Sequence, residues 1–541
     1  MIKKNDIVRL TVTALTNEGN GVGRYEGMAV FVPFTAVGDE IDCKILKVNK
    51  SVAYGKVEKL ISSGDNRIVP DCPVYNKCGG CSFRHITYEA ELEAKFGFVA
   101  DCFKRLGGFN ITLDPILPAK NETRYRNKAQ LPVSDFEGKA KYGFFSPRSH
   151  RVIPFDDCLI QPNVFCQIAD EVLAYHNRLG LKTYDEQSGR GLLRHIYIRM
   201  GHHSGEIMLT LVVTQNTSAY NALAEDLCTK YPQIKTVLLN VNPKNTNVIL
   251  GEEEITLIGN GTINDTMCGN VISISSKSFY QVNTPAAEGV YQIAKEYADL
   301  KGNETLLDLY CGAGTVGISM ADKVKKLIGV EIIPQAIENA KANAKANGVT
   351  NAEFICGDAG TVAQTLAKRG ERPNVIVIDP PRKGCDNKTL DAIIEMSPER
   401  VVYISCNPAT AARDCKYLCE NGYTLKRIRP ADMFPRTTHV ETVCLLSKLN
   451  TKQHIEVDIH MDELDLTDAE KKATYGEIKD YVLEHTGLKV SSLYIAQVKQ
   501  KCGIIERENY NKPKSEDAKQ PQCPPDKEKA IKEALLHFGM I

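Results

Sequence analysis

The stretch YISCNPAT, residues 403–410, sets Cys406 between an apolar run and a Pro-led helical stretch. Such a cysteine is either an inert buried thiol or a nucleophile; usage alone favours the first, and the neighbours decide. Asn407 is suited to cap the following helix and Pro408 to its first turn, which predicts a thiol acidified by the helix dipole. In ADMFPRTTHVETVCLL, His439 and Glu441 stand two apart at the start of an apolar strand and share a face. A Glu at the edge of a partly apolar site suits general-base work; the plainer reading is an edge-strand salt bridge. In TLLDLYCGAGTVG, Gly312, Gly314 and Gly317 have G-x-G-x-x-G spacing after a strand and before a helix. Glu331, about 20 residues on, is placed to accept hydrogen bonds from ribose hydroxyls. Nicotinamide, flavin and S-adenosylmethionine sites share that geometry. NVIVIDPPRKG ends a strand at Asp379, with two prolines fixing the loop at the sheet's carboxyl edge. An acidic-Pro-Pro loop beside a nucleoside loop favours methyl transfer over hydride transfer.

A second concentration of chemistry lies in DCPVYNKCGGCSF, where Cys72, Cys78 and Cys81 form C-x5-C-x2-C around Gly79 and Gly80. Three cysteines this close predict a metal site lacking one ligand; spacing alone does not separate zinc from an iron–sulfur cluster or from reduced thiols. The basic segments KNETRYRNKAQ and GRGLLRHIYIRM offer Arg124, Arg126, Lys128, Arg194, His195 and Arg199 as RNA contacts, against the plainer reading of solvated charges.

These residues need a multidomain α/β scaffold, and 541 residues suffice for several cores. Residues 1–61 read as short alternating strands between glycine turns, a small β-barrel. Residues 62–270 hold the cysteine cluster, a helix over about 88–108 suited to pack on the catalytic domain, and a mixed, strand-rich region. Over 271–449 strands and helices alternate, which predicts a Rossmann-like, doubly wound parallel sheet. Residues 450–541 read as a helical appendage, with YGEIKDYVLEHTGLKVSSLYIAQVKQKCG compatible with a helix-turn-helix. Lys plus Arg and Asp plus Glu number 67 each, so no global field draws the chain to polyanions and any such site is a local patch. No signal peptide and no stretch of about 18 apolar residues is present, which predicts a cytoplasmic protein with no membrane partner. The 18 cysteines then read as reduced thiols, ligands and catalysts instead of disulfides.

Taken in order, DPPRKG, LDAIIEMSPERVVYISCNPAT, DMFPRTTHVE and the earlier KSFYQVN resemble the signatures of the RNA uracil-5-methyltransferase family over residues 1–449. The resemblance implies a class I methyltransferase domain that moves a methyl group from S-adenosylmethionine to C5 of uridine, with Cys406 as nucleophile at C6 and Glu441 as base. It places Gln281, Tyr310, Glu331 and Asp379 at cofactor positions, with Asp379 alternatively at the base, and Asp358 near the adenine; Gly312 and Gly314 belong to the same site. The cysteine spacing, with Cys158 in PFDDCLIQP as fourth ligand and Cys166 and Cys102 as rivals, resembles the branch carrying a [4Fe–4S] cluster. The N-terminal segment resembles a TRAM domain, an OB-like RNA-binding barrel. Barrel and cluster together imply 23S ribosomal RNA as partner, with the uridine unpaired or flipped out so that its ring can be reached; a monomeric enzyme is expected. A transfer RNA methyltransferase and a non-catalytic RNA-binding or assembly factor are the alternatives.

Overall fold

The computed structural model describes residues 2–449, 475–502, 504, 523–538, 540 and 541. The chain divides into two compact units, 1–450 and 451–541. Among the described residues no helix is long and apolar enough to cross a membrane.

The first six strands, Ile7–Thr11, Ala14–Leu15, Asn20–Tyr25, Met28–Pro33, Glu40–Val48 and Val52–Ser62, form one sheet in the order 1-5-6-4-3-2. Their apolar residues alternate with exposed ones, so Val8, Leu10, Val30, Val32, Ile41, Cys43 and Ile45 share one small core. Gly21 is required there, because a Cβ would stand 1.9 Å from Thr35 Oγ1. The second sheet runs Glu253–Ile258, Ile234–Val241, Ile207–Val213, Leu193–Met200, Lys128–Phe136, Lys139–Phe145 and Val152–Pro154. Helices Asn163–Arg178 and Asn221–Lys230 share its core through Phe165, Ile168, Val172, Leu223 and Leu227.

The third sheet carries the residues singled out for catalysis. Its order is Ala352–Cys356, Lys326–Glu331, Thr305–Leu309, Val375–Ile378, Arg400–Ser405, Glu441–Lys448, Tyr423–Ala431. The first five are parallel and Glu441–Lys448 runs antiparallel to both its neighbours. Strands such as VIVI and RVVYIS are apolar because both faces are covered. On one face lies a core of Val290, Tyr291, Ile293 and Tyr297 from helix Thr284–Ala298. On the other, Ala411, Cys415 and Leu418 of helix Pro408–Glu420 meet Val99 and Phe103, from and just after helix Tyr88–Cys102. The predicted 88–108 helix thus ends as a π-turn, Phe103–Gly107, closed by Gly108 at φ 74°. Chain order reverses beside Thr305–Leu309, which makes its carboxyl end the ligand crevice expected of a doubly wound sheet.

In the second unit, helices Tyr475–Thr486, Ser492–Lys501 and Pro525–His537 share a core of Ile478, Val482, Ile495, Val498, Ile531 and Leu535. Residues 450–474 and 505–522 of the appendage read above as helical lie outside the described residues.

Asp39, fully buried, accepts from the amides of Ala36 (2.6 Å) and Gly64 (3.0 Å) and from Arg67 Nη2 (2.6 Å). Arg67→Met strands that carboxylate without its cation and is expected to destabilise the protein by about 3–5 kcal/mol. A lower melting temperature checks this; an unchanged one would mean that the two amides suffice.

Candidate functional site

Cys406 follows the buried strand Arg400–Ser405 and is itself half-buried. Asn407 caps the next helix, accepting from the Ala409 amide at 3.1 Å, and Pro408 opens it. The same Asn407 donates through Nδ2 to the Arg382 carbonyl at 2.9 Å, tying the thiol's turn to the DPPRKG loop. The helix grips that loop twice more. Asp414 accepts from the Cys385 amide (2.8 Å) and the Tyr403 hydroxyl (2.6 Å), and Arg413 donates to the carbonyls of Lys383 and Cys385 (3.1 Å each).

The expected acidification of Cys406 is reversed. Burial pushes its thiol above the ordinary value, and the carboxylates of Glu441 and Asp379 push the same way; the positive charge of Arg382 opposes them. The cap geometry is as expected, but Cys406 precedes the cap, and negative side chains face it. Glu441, 8 % exposed, is pushed up to about 8 by burial and then by Asp379, against Arg382. Burial raises Asp379 to about 7. His439 is held neutral, pushed down to about 4 by burial and by Arg382, Arg126 and Lys95. A protonatable carboxyl beside a thiol, with one guanidinium between charges, is equipped to take a proton from carbon while the sulfur adds and leaves.

The glycine loop adjoins this edge. Tyr310, Gly312 and Gly314 all have left-handed φ (65°, 55° and 80°), and a Cβ on Gly312 would meet nothing within 4 Å, leaving that side open to a ligand. Glu331 Oε2 accepts from the Gly312 amide at 3.1 Å, so the acidic strand end and the loop are one structure. Tyr310 places its hydroxyl 3.3 Å from Thr389 Oγ1. The Gln281 backbone carbonyl accepts from Asn127 Nδ2 at 2.8 Å, and the Tyr291 hydroxyl lies 3.2 Å from Thr315 Oγ1. Asp358 spends its carboxylate capping helix Ala359–Lys368, accepting from the amide (3.0 Å) and hydroxyl (2.8 Å) of Thr361.

Sequence reasoning missed Asp308, Arg382 and Tyr291. Asp308 is buried and raised to about 7, firstly by burial. One of its oxygens accepts from the Gly317 amide at 2.9 Å and the other has no partner. An acid inside the strand before a glycine loop was its available signal. Three of the basic RNA-contact candidates, Arg194, His195 and Arg199, are corrected. Arg194 and Arg199 are buried and donate to backbone carbonyls, of Asn242 and Lys244 and of Ser275 and Ser278 respectively. His195 is buried and pushed down to about 4, and Arg124 pairs with Asp157 at 2.6 Å. Arg126 and Lys128 alternate with buried Tyr125, Asn127 and Ala129, and so keep a half-exposed face.

Cys72, Cys78, Cys81 and Cys158 line one cavity together with Tyr75, Gly80, Arg84 and Asp157; Cys102 and Cys166 do not line it. Burial raises Cys81 and Cys158 to about 12 each. Among the described residues no group of three or more His, Cys, Asp or Glu is set to hold a single metal ion. A tetrahedral ion with sulfur at about 2.3 Å needs tightly gathered thiols, whereas a four-iron cluster gives each thiolate its own iron and spreads them. The cavity wall also holds a buried cation: Arg84, 2 % exposed, binds Asp71 but leaves Nη1 without a partner. Four soft donors and one free guanidinium donor suit an anionic sulfur-ligated group.

A family model described as tRNA (uracil-5-)-methyltransferase matches residues 87–449, and a TRAM domain model matches residues 3–57. A Bacillus cereus protein, described as an uncharacterized RNA methyltransferase, is 43% identical over 450 residues, 83% of this chain and 98% of its own. A Clostridium acetobutylicum protein of the same description is 42% identical over 453 residues, again 83% and 98%. The crystal structure of Pyrococcus abyssi tRNA (uracil-54, C5)-methyltransferase with S-adenosyl-L-homocysteine matches with a TM-score of 0.65 and 25% identity, covering 81% of this chain and 100% of that one.

The raised Glu441 carboxyl has a consequence for stability. The folded chain keeps a proton that the unfolded chain releases near 4.5, so its contribution is full below 4.5 and is lost as pH rises through about 8. The melting temperature of the native protein should therefore fall more steeply across that window than that of Glu441→Gln. Parallel slopes would show that Glu441 titrates as in water.

Proposed function

The chain belongs to the tRNA (uracil-5-)-methyltransferase family, and on that premise we propose that it methylates C5 of uridine in 23S ribosomal RNA through a covalent bond between Cys406 and C6. That it is an S-adenosylmethionine-dependent RNA methyltransferase with a TRAM domain follows from the family itself. The observation that carries the rest is the meeting of Cys406, Arg382, Asp379 and Glu441 at one edge of the sheet, beside the glycine loop.

C5 of uracil is too weak a nucleophile to attack a methyl group unaided. Addition of the Cys406 thiolate to C6 moves the C5–C6 π electrons into an enolate with carbanion character at C5. The positive charge of Arg382 favours the thiolate against burial and the neighbouring carboxylates. S-Adenosylmethionine, when bound, supplies an electrophilic methyl group as a sulfonium. C5 takes that methyl, and Glu441 then removes the C5 proton. The C–H electron pair re-forms the C5–C6 double bond and the C6–S pair returns to Cys406. A base raised to about 8 holds the proton it has taken more firmly than an ordinary carboxylate does. Tyr310, Gly312, Gly314, Glu331, Gln281 and Asp379 are proposed to hold the cofactor. Asp358 stands further out, committed to its helix cap.

Cys72, Cys78, Cys81 and Cys158 are proposed to hold a [4Fe–4S] cluster that pins the central region, with no redox step assigned. Purification without oxygen should give iron and acid-labile sulfide in equal amounts, and Cys158→Ser should lose both. Retained sulfide in that variant would remove Cys158 from the set.

The barrel and cysteine site support ribosomal RNA as substrate. The second reading, transfer RNA, is favoured by one finding: the Pyrococcus abyssi tRNA enzyme matches over 81% of this chain, so a comparable architecture serves transfer RNA as well. Incubation with each unmodified RNA, followed by mapping of 5-methyluridine, separates the two; methylation of transfer RNA alone overturns the first. With RNA containing 5-fluorouridine, whose fluorine does not leave as a proton, a denaturant-stable protein–RNA adduct should form and Cys406→Ala should abolish it. An adduct that survives the substitution would reject Cys406 as nucleophile, and a native protein that never methylates would favour a binding or assembly role.

A further inference from the structure

The connection between the last two strands, residues 432–440, carries His439 and delivers Glu441, and donors from four parts of the chain hold four of its consecutive carbonyls. Met433 O accepts from Asn283 Nδ2 (2.9 Å), Phe434 O from Lys95 Nζ (3.1 Å) and Pro435 O from the Tyr125 hydroxyl (2.9 Å). Arg436 O accepts from the amides of Ser82 (2.7 Å) and Phe83 (3.1 Å), directly after Cys81. Arg436 itself sits at φ 68°, a left-handed backbone that a non-glycine side chain keeps only where its surroundings impose it.

Lys95 is the centre of this arrangement. Its fully buried Nζ donates to Glu91 Oε1 and Asp432 Oδ1, both at 2.7 Å, as well as to the Phe434 carbonyl. Tyr88 donates to the other Asp432 oxygen at 2.8 Å, and the Arg436 amide donates to Glu91 Oε1 at 2.7 Å. Apolar packing of the same volume stabilises a core as well as a buried ion pair does, so stability alone is a weak reason for a lysine here. Two of its three acceptors belong to the segment that leads to the base. Cys406, by contrast, is framed by Ser405, Asn407 and Arg382, on its own strand end, helix cap and loop.

We propose that Lys95 is a positioning residue for the second half of the reaction: by fixing Asp432 and the Phe434 carbonyl it sets where Glu441 meets the C5 proton, and it leaves addition and methyl transfer at Cys406 largely untouched. This rests on the reading of Glu441 as the base. In chemical terms, the step it serves moves the C5 proton to the Glu441 carboxylate and expels the Cys406 sulfur.

The test uses the full chain with Lys95→Met/Asp432→Asn, which removes opposite charges together and leaves Glu91 and Arg436 to each other. Labelled methyl transfer in a single turnover, denaturant-stable protein–RNA adduct on ordinary uridine RNA, and steady-state turnover are measured side by side. First-turnover methylation should persist and the methylated adduct should accumulate while turnover falls about a hundredfold, the scale of a misplaced catalytic group. Tyr88→Phe, which removes one donor from Asp432 without changing charge, should shift the same ratio in the same direction by less. Equal loss of methyl transfer and turnover in both variants, or native turnover in both, overturns the proposal. A native protein that methylates RNA without ever forming an adduct overturns the proposed function itself, and this inference with it.

Discussion

Exclusion of water from the carboxyl edge of the parallel sheet is the constraint on which the chemistry depends. Asp308, Asp379, Glu441 and Cys406 are each pushed toward their protonated forms, and burial is the first cause for all four. Burial makes the Glu441 carboxyl a stronger proton acceptor than a carboxylate in water, which suits it to take a proton from carbon, and it makes the Cys406 thiolate costlier to form. Arg382 is the cation set against this drift, and its carbonyl is simultaneously held by Asn407. One short loop therefore sets both the charge balance and the position of the nucleophile.

A dry edge of that kind is assembled by long-range contacts. The nucleophile comes from the fifth parallel strand and the base from the antiparallel strand beside it, and Ser405 lies in register with Thr442, one residue past Glu441. The loop before Glu441 is gripped by the cysteine segment, a helix, Tyr125 just ahead of the second sheet and the helix cap Asn283. Parts of the chain outside the catalytic sheet thus converge on the base. Tyr125 and Lys95, far from Glu441 in sequence, reach its segment through the Pro435 and Phe434 carbonyls, and Lys95 also through the Asp432 carboxylate.

The legible part of the site was local. Asn407 and Pro408 were readable as cap and first turn because capping depends on a residue's own side chain and the next amides. The glycine loop was readable because left-handed φ at Gly312 and Gly314 restricts which residue stands there. The alternating strands and helices of 305–448 follow from apolar runs that only two covered faces tolerate. The illegible part was environmental. Arg194, His195 and Arg199 sit in a segment that reads as basic surface, yet their strand is covered on both faces and the donors of Arg194 and Arg199 turn to backbone carbonyls. Asp308 is by sequence one more acid in a strand, and only packing shows that one of its oxygens is without a partner.

The sequence by itself determined the elements, their order, the turn chemistry around Cys406 and Gly312, and the grouping of Cys72, Cys78 and Cys81, because these rest on interactions between residues a few positions apart. The tertiary structure alone decided that Cys158 joins those three at one cavity, that the Cys406 thiol is raised instead of acidified, and that Lys95 holds the segment leading to Glu441. The reason is physical: proton affinity and burial depend on which groups the fold brings over a residue, and those groups come from distant parts of the chain.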